Sequence, residues 1–219
     1  MKTTVLLMAG GQGTRFWPMS RPERPKQLLP LFGDQSMLRA TVRRLAPLAG
    51  PKDVLVITNR TIEDEVRADL SWLPPENIVG EPRGCNTAPC VALGALLSQA
   101  RFGEDRILAV MPADHFIADK AGFLNTARAA VALASQGYIA TIGINPTRPE
   151  TGYGYLECGE EISTSPSAYN LKCFVEKPPL ERALSYLKQG NYLWNSGTFF
   201  FHTRTILNEF QQYMPDILR

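Results

Sequence analysis

The sequence predicts an α/β fold, in which a mixed, mostly parallel sheet is flanked by helices and leads into a small β-rich subdomain. Three observations predict it. Short apolar runs alternate with helical patterns through the first two-thirds of the chain, which is the pattern of parallel strands joined by crossover helices. Polar motifs follow directly on the apolar runs: "AGGQGTR" after the first, "GEPRGCNTAP" after the third and "PADH" after the fourth. Sheets of this Rossmann-like kind place ligands beyond the carboxyl ends of their strands. After about Asn145 the texture changes to strand-like runs with a single helix among them.

The elements read in order as follows. "TVLLMA" is a buried strand. "SMLRATVRRLAPL" is a helix with Ser36 as its N-cap. "DVLVIT" is the next strand, and "TIEDEVRADLSWL" a helix whose acidic first turn suits the helix dipole. "NIVGEP" is a short strand, followed by a helix starting near Ala88 in "APCVALGALLSQAR". "RILAVMPADH" is a strand with a polar tip. In "GFLNTARAAVALASQG" the residues Phe123, Ala127, Ala130, Val131 and Ala134 recur with helical period, and Gly137 stops the helix. "YIATIGI" is a further buried strand. "TGYGYLECGEEI", "LKCFVEKP" and "WNSGTFFFH" are strands, "EEISTSPSAYN" is a turn-rich hairpin tip, and "PLERALSYLKQG" is a helix. The first half is expected to run over residues 1–145, and the second, 146–219, to continue the sheet and close over the site.

Composition excludes several classes. The 219 residues, 44% hydrophobic and 20% charged, suit one globular core. A net charge of +2 supplies no field for nucleic acid or an anionic membrane. No segment reaches the length of a membrane span, and the short apolar run after Lys2 does not form a signal peptide, so a cytoplasmic location is expected. Cys85, Cys90, Cys158 and Cys173 show no CxxC spacing and have only His115 and His202 beside them; buried free thiols are expected rather than zinc.

The opening motif points to phosphate. In "GGQGTRFWPMSRPERPK" glycines let backbone N–H groups approach an anion, Arg15 can fork two phosphate oxygens, and Lys26 adds a point charge. Pro18, Pro22 and Pro25 stiffen the loop. The dinucleotide fingerprint would need glycine where Phe16 stands, and no Walker Gly-Lys-Ser/Thr occurs.

"AGGQGTRFWPMSRPERPKQLLPL", "GEPRGCNTAP", "PADH", "YGYLE", "FVEKP" and "LWNSGTFFF", in that order, resemble the signature set of sugar-phosphate nucleotidyltransferases, in the form found in bacterial mannose-1-phosphate guanylyltransferases. The resemblance covers nearly the whole chain. It implies that GMP passes from GTP to mannose 1-phosphate, giving GDP-mannose and pyrophosphate, with Mg²⁺ as cofactor. A sugar phosphate already carries about −1.5 to −2 charge at neutral pH and needs no base. The task is positioning two polyanions and neutralising their charge.

The residues divide accordingly. Arg15, Lys26 and Lys177 are the expected catalytic cations. Ala9, Gly10, Gly11, Gly13, Thr14, Glu81, Asn86 and Thr87 are expected to bind nucleotide. Glu81 can accept from guanine N1–H and N2–H₂ together, and Asn86 and Thr87 can cap the following helix and present its N–H groups. Gly154, Glu176 and Asn195 are assigned to the sugar; Tyr153, Tyr155 and Trp194 are read as packing. Asp114, at a strand end, is the metal candidate, as the resemblance also implies; His115 supports it locally. The chain departs from the family at Cys85, where arginine is usual, which removes a phosphate or ribose contact. The family's next strand segment, with a second metal aspartate, is not in the sequence, so a domain truncated at its C-terminus is expected. An exposed sheet end would favour homo-oligomers. Rival readings are another base or sugar phosphate, and a non-catalytic module binding GTP or GDP-mannose.

Overall fold

The computed structural model describes residues 1–219 except 12–15, 22–23, 85, 104–105, 165 and 219. The chain divides into two compact units, residues 1–140 with 199–219, and residues 141–198. The boundary expected after residue 145 thus falls after residue 140, and the chain returns to the first unit at Phe199.

The first unit is built on parallel strands. β1 (Lys2–Ala9) lies between β2 (Val54–Asn59) and β4 (Arg106–Pro112), and β3 (Ile78–Glu81) flanks β2, all in parallel register. The last residues of β8 (Tyr192–His202) add an antiparallel strand beside β4, with Val110 opposite Phe199 and Ile107 opposite His202. On one face Leu6, Leu55, Ile57, Leu108, Val110 and Phe201 pack with α3 (Thr87–Phe102) and α6 (Thr203–Tyr213). Val5 and Leu7, which alternate to the other face, are fully buried too. Both faces are covered, which is why these strands read as continuous apolar runs. α4 (Lys120–Ser135) packs on β4 and buries Ala127, Ala130 and Ala134.

α1 (Met37–Leu45) starts as expected: the Ser36 hydroxyl accepts from Arg39 N–H. α2 (Glu63–Asp69) is preceded by a 3₁₀ turn over 60–62, entered through the Asn59 carboxamide oxygen, which accepts from Thr61 N–H at 3.0 Å.

In the second unit β6 (Tyr155–Thr164) pairs antiparallel with β7 (Ser167–Val175) and with the start of β8. α5 (Leu180–Gln189) closes a small aromatic core, in which Tyr155 stands opposite Trp194 and Tyr186 stacks on Tyr192 at 4.0 Å. Tyr155 and Trp194 are packing residues as expected, whereas Tyr153 is partly exposed, edge-on to Trp194 at 5.4 Å.

Three expectations are corrected. β5 (Ala140–Ile144) is a strand, but a half-exposed one: it pairs with β8 off the main strand order. The expected turn-rich tip at 160–170 is mostly ladder, because pairing continues to Thr164 opposite Ser167 through a series of bulges and overrides the turn preferences of its Ser and Asn residues. The thiols are not all buried: Cys90 is, Cys158 is half-buried and Cys173 is exposed. Cys85 lies outside the described residues.

Candidate functional site: the carboxyl ends of the parallel strands

The site begins where β1 stops. Ala9 is its last residue, and Gly10 and Gly11 carry the chain out of the sheet. Lys26 and Gln27 open a 3₁₀ turn over 26–28, and the next strand end contributes Asp114 just after β4. Lys26 Nζ and Asp114 Oδ2 lie 3.2 Å apart, with side chains 22% and 41% exposed. The Lys26 ammonium also sits 4.7 Å from the centre of the Phe16 ring. The cation assigned to phosphate and the carboxylate assigned to metal are therefore paired with each other.

Two backbone-level attachments set this pair. Ala113 N–H donates to the Met8 carbonyl at 3.1 Å, hanging the segment before Asp114 on β1. Gln27 Nε2 donates to the Ala9 carbonyl at 2.5 Å, and Thr58 Oγ1 donates to the same oxygen at 3.1 Å. Sequence reasoning missed Gln27 and Thr58. The available signal was a polar residue at the tip of "DVLVIT" and a glutamine heading the apolar run "LLPL".

Glu81 ends β3 and is 8% exposed. A Cβ on Gly10 would stand 3.6 Å from its Oε2, so the carboxyl lies against the glycine turn. Burial raises the Glu81 pKa. Burial, with the Glu81 charge added, pushes the Cys90 thiol up to about 12 and keeps it inert. The His115 pKa is lowered, first by burial and then by Arg44 and Lys26, against the opposing pull of Asp114. Arg44 reaches the carbonyl of His115 and the hydroxyl of Thr41, and Thr41 in turn donates to the Ala113 carbonyl at 3.3 Å.

Asn86 occupies the N-cap position of α3, but its side chain makes no capping bond, contrary to the expected cap. The first-turn N–H groups of Thr87 and Ala88 have no intrahelical acceptor, and Pro89 carries no N–H. Asn86 and Lys177 are the non-glycine residues with positive φ among the described residues, at 65° and 45°. Such conformations cost on the order of 1–3 kcal/mol and concentrate where function holds them.

In the second unit, Lys177 Nζ pairs with its neighbour Glu176 Oε1 at 2.8 Å, and both are more than half exposed. A Cβ on Gly154 would come within 2.9 Å of the Phe174 ring and 3.0 Å of Glu176 Oε2, so the glycine lies close against both side chains. Asn195 N–H donates to the Gly154 carbonyl, while Asn195 Oδ1 accepts from Thr141 Oγ1 and Gly197 N–H. That leaves the Nδ2 donors for a ligand. The structure thus brings together Lys26 with Asp114, Gly10 with Glu81, and Gly154 with Glu176 and Asn195. Gly13, Thr14 and Arg15 lie outside the described residues.

Among the described residues no group of three or more His, Cys, Asp or Glu side chains could hold a metal ion. One half-open carboxylate suits a hard cation that arrives with phosphate oxygens and water as its other ligands. No helix among the described residues is long and apolar enough to cross a membrane.

Comparison with known proteins decides the family. Residues 4–219 match the family described as nucleotidyl transferase. The chain belongs to that family. Among its nucleotidyl transferase relatives is the xanthan biosynthesis protein XanB of Xanthomonas campestris pv. campestris, 44% identical over 214 residues, covering 97% of this chain and 44% of XanB. An Escherichia coli mannose-1-phosphate guanylyltransferase is 43% identical over 216 residues, covering 97% of this chain and 45% of that protein. A Thermus thermophilus crystal structure described as a mannose-1-phosphate geranyltransferase superposes with a TM-score of 0.91 at 38% identity, covering 100% of this chain and 62% of that one. The chain spans about half the length of the curated relatives it matches.

Proposed function

We propose that this nucleotidyl transferase passes GMP from GTP to mannose 1-phosphate, releasing pyrophosphate and forming GDP-mannose, in the cytoplasm. The observation that carries the reading is the Lys26–Asp114 pair, which joins the 3₁₀ turn held at the end of β1 to the segment that follows β4, in a chain 41–44% identical to relatives named mannose-1-phosphate guanylyltransferase or XanB. A cation and a carboxylate set side by side suit a ligand that carries both phosphate and a divalent metal.

When GTP binds, Lys26 exchanges Asp114 for phosphate oxygen, and Asp114 would be the residue that holds Mg²⁺. Mg²⁺ bound there would neutralise charge on the triphosphate. The N–H groups of Gly10, Gly11 and the first turn of α3, with Asn86 and Thr87, serve as further phosphate donors, joined by Gly13, Thr14 and Arg15. Glu81 accepts the guanine N–H pair. Because it is nearly desolvated, a base that fails to donate leaves a buried carboxylate unpaired, which sharpens discrimination. In the second unit Gly154, Glu176 and Asn195 take the mannose hydroxyls, and Lys177 leaves Glu176 for the sugar's phosphate. That phosphate attacks in line at the α-phosphorus, and pyrophosphate leaves.

Formation of GDP-mannose from GTP, mannose 1-phosphate and Mg²⁺ tests the reading. Binding of GTP without turnover would favour the non-catalytic module instead.

A further inference from the structure

We propose that Gln27 and Thr58 are positioning residues of the nucleotide site, which together lock the peptide plane between Ala9 and Gly10. This rests on the reading above that Gly10 and Lys26 meet phosphate. The Ala9 carbonyl accepts from both side chains, at 2.5 and 3.1 Å. Gln27 is 3% exposed and Thr58 fully buried. A buried carboxamide costs free energy unless its hydrogen bonds are made, and a methionine would fill the same space without that cost. The donor, rather than the volume, is what Gln27 supplies.

The consequence follows from peptide geometry. The unit is planar and trans, so its C=O and N–H point in opposite directions. Holding the Ala9 oxygen on Gln27 and Thr58 turns the Gly10 N–H to the opposite side, at a partly exposed residue. The same bond fixes Lys26. Gln27 is its neighbour in one 3₁₀ turn, which Leu28 N–H to Pro25 O and Leu29 N–H to Lys26 O close at 3.0 Å each. The carbonyls of Met8 and Ala9 thereby hold both segments that carry the reacting charges: Ala113, before Asp114, and Gln27, after Lys26.

Four variants test this: Gln27→Met, Gln27→Glu, Thr58→Val and Thr58→Ser. Misplacing a reacting group by about 1 Å costs on the order of 100-fold. Q27M and T58V should lower kcat about 10- to 100-fold, while T58S, which keeps the donor, stays within about two-fold of the parent. A carboxyl at position 27 donates to Ala9 only when protonated, so Q27E should regain activity from about pH 8 down to about pH 5.5, and the parent should not. Lys26 labelling by an amine-acylating reagent, followed by mass spectrometry, needs no turnover. It should quicken in Q27M and T58V with other lysines unchanged. Unaltered Lys26 labelling in folded T58V, or a Q27E pH profile that superimposes on the parent's, would overturn the proposal. Labelling as expected in a parent that releases no pyrophosphate would instead overturn the reading of the reaction. Should Q27M fail to fold, the two Thr58 variants and Q27E decide the question.

Discussion

Lys26 and Asp114 illustrate how little an ion pair has to stabilise a fold in order to matter. Both side chains reach water, and such pairs contribute about 0–1 kcal/mol. Lys26→Ala is therefore expected to leave thermal stability within about 1 kcal/mol of the parent while lowering kcat about 10²- to 10³-fold, as removing one preorganised charge donor does. Paired melting curves and pyrophosphate-release rates check this. Glu81 behaves in the opposite way. Its folded pKa is raised above its unfolded value, so its favourable contribution is present at low pH and is lost as pH rises through the folded pKa. Glu81→Gln is expected to stabilise the protein at neutral pH, the gain vanishing below the ordinary carboxyl range, and to reduce preference for GTP over ATP about 10- to 100-fold. Urea titrations at neutral and acid pH, with turnover on both triphosphates, read the two effects. Asp114 and Glu81 stood out as candidates because they come just after apolar runs, and Lys26 because it closes the cation cluster of the opening loop. Gln27 and Thr58 did not, since a lone polar residue at a strand end looks like a turn residue until its acceptor is known.

The helices show which local signals survive folding. The Ser36 cap was legible, and the fold adds to it: the same hydroxyl bonds Asp69 Oδ2 at 2.5 Å, and Asp69 pairs with Arg39 at 3.2 Å. Ser36→Ala is expected to cost about 1–2 kcal/mol, seen as a lower urea midpoint with an unchanged slope. Gly94 was illegible. In sequence it is only a weak spot in a helix, but a Cβ there would overlap the Leu6 side chain, so glycine lets α3 lie against β1. β5 was read as buried because its residues are apolar; its exposure depends on its sheet partner, which the local pattern does not encode.

At the level of the whole molecule, the alternation of strands and helices made the parallel first unit legible, but the strand order was not. The placement of β1 between β2 and β4, and the return of β8 beside β4, depend on pairings between distant segments. The central claim is that these strand ends gather charge to join two phosphorylated substrates with a metal's help. Because the metal candidate Asp114 is a partly exposed carboxylate outside the buried core, chelation is expected to abolish turnover and leave the melting temperature unchanged. The most direct measurement is pyrophosphate release from each of the four ribonucleoside triphosphates with mannose 1-phosphate, with and without Mg²⁺. Rapid release is expected from GTP only, and only with the metal. Equal rates on all four, or release that ignores the metal, would contradict the central claim.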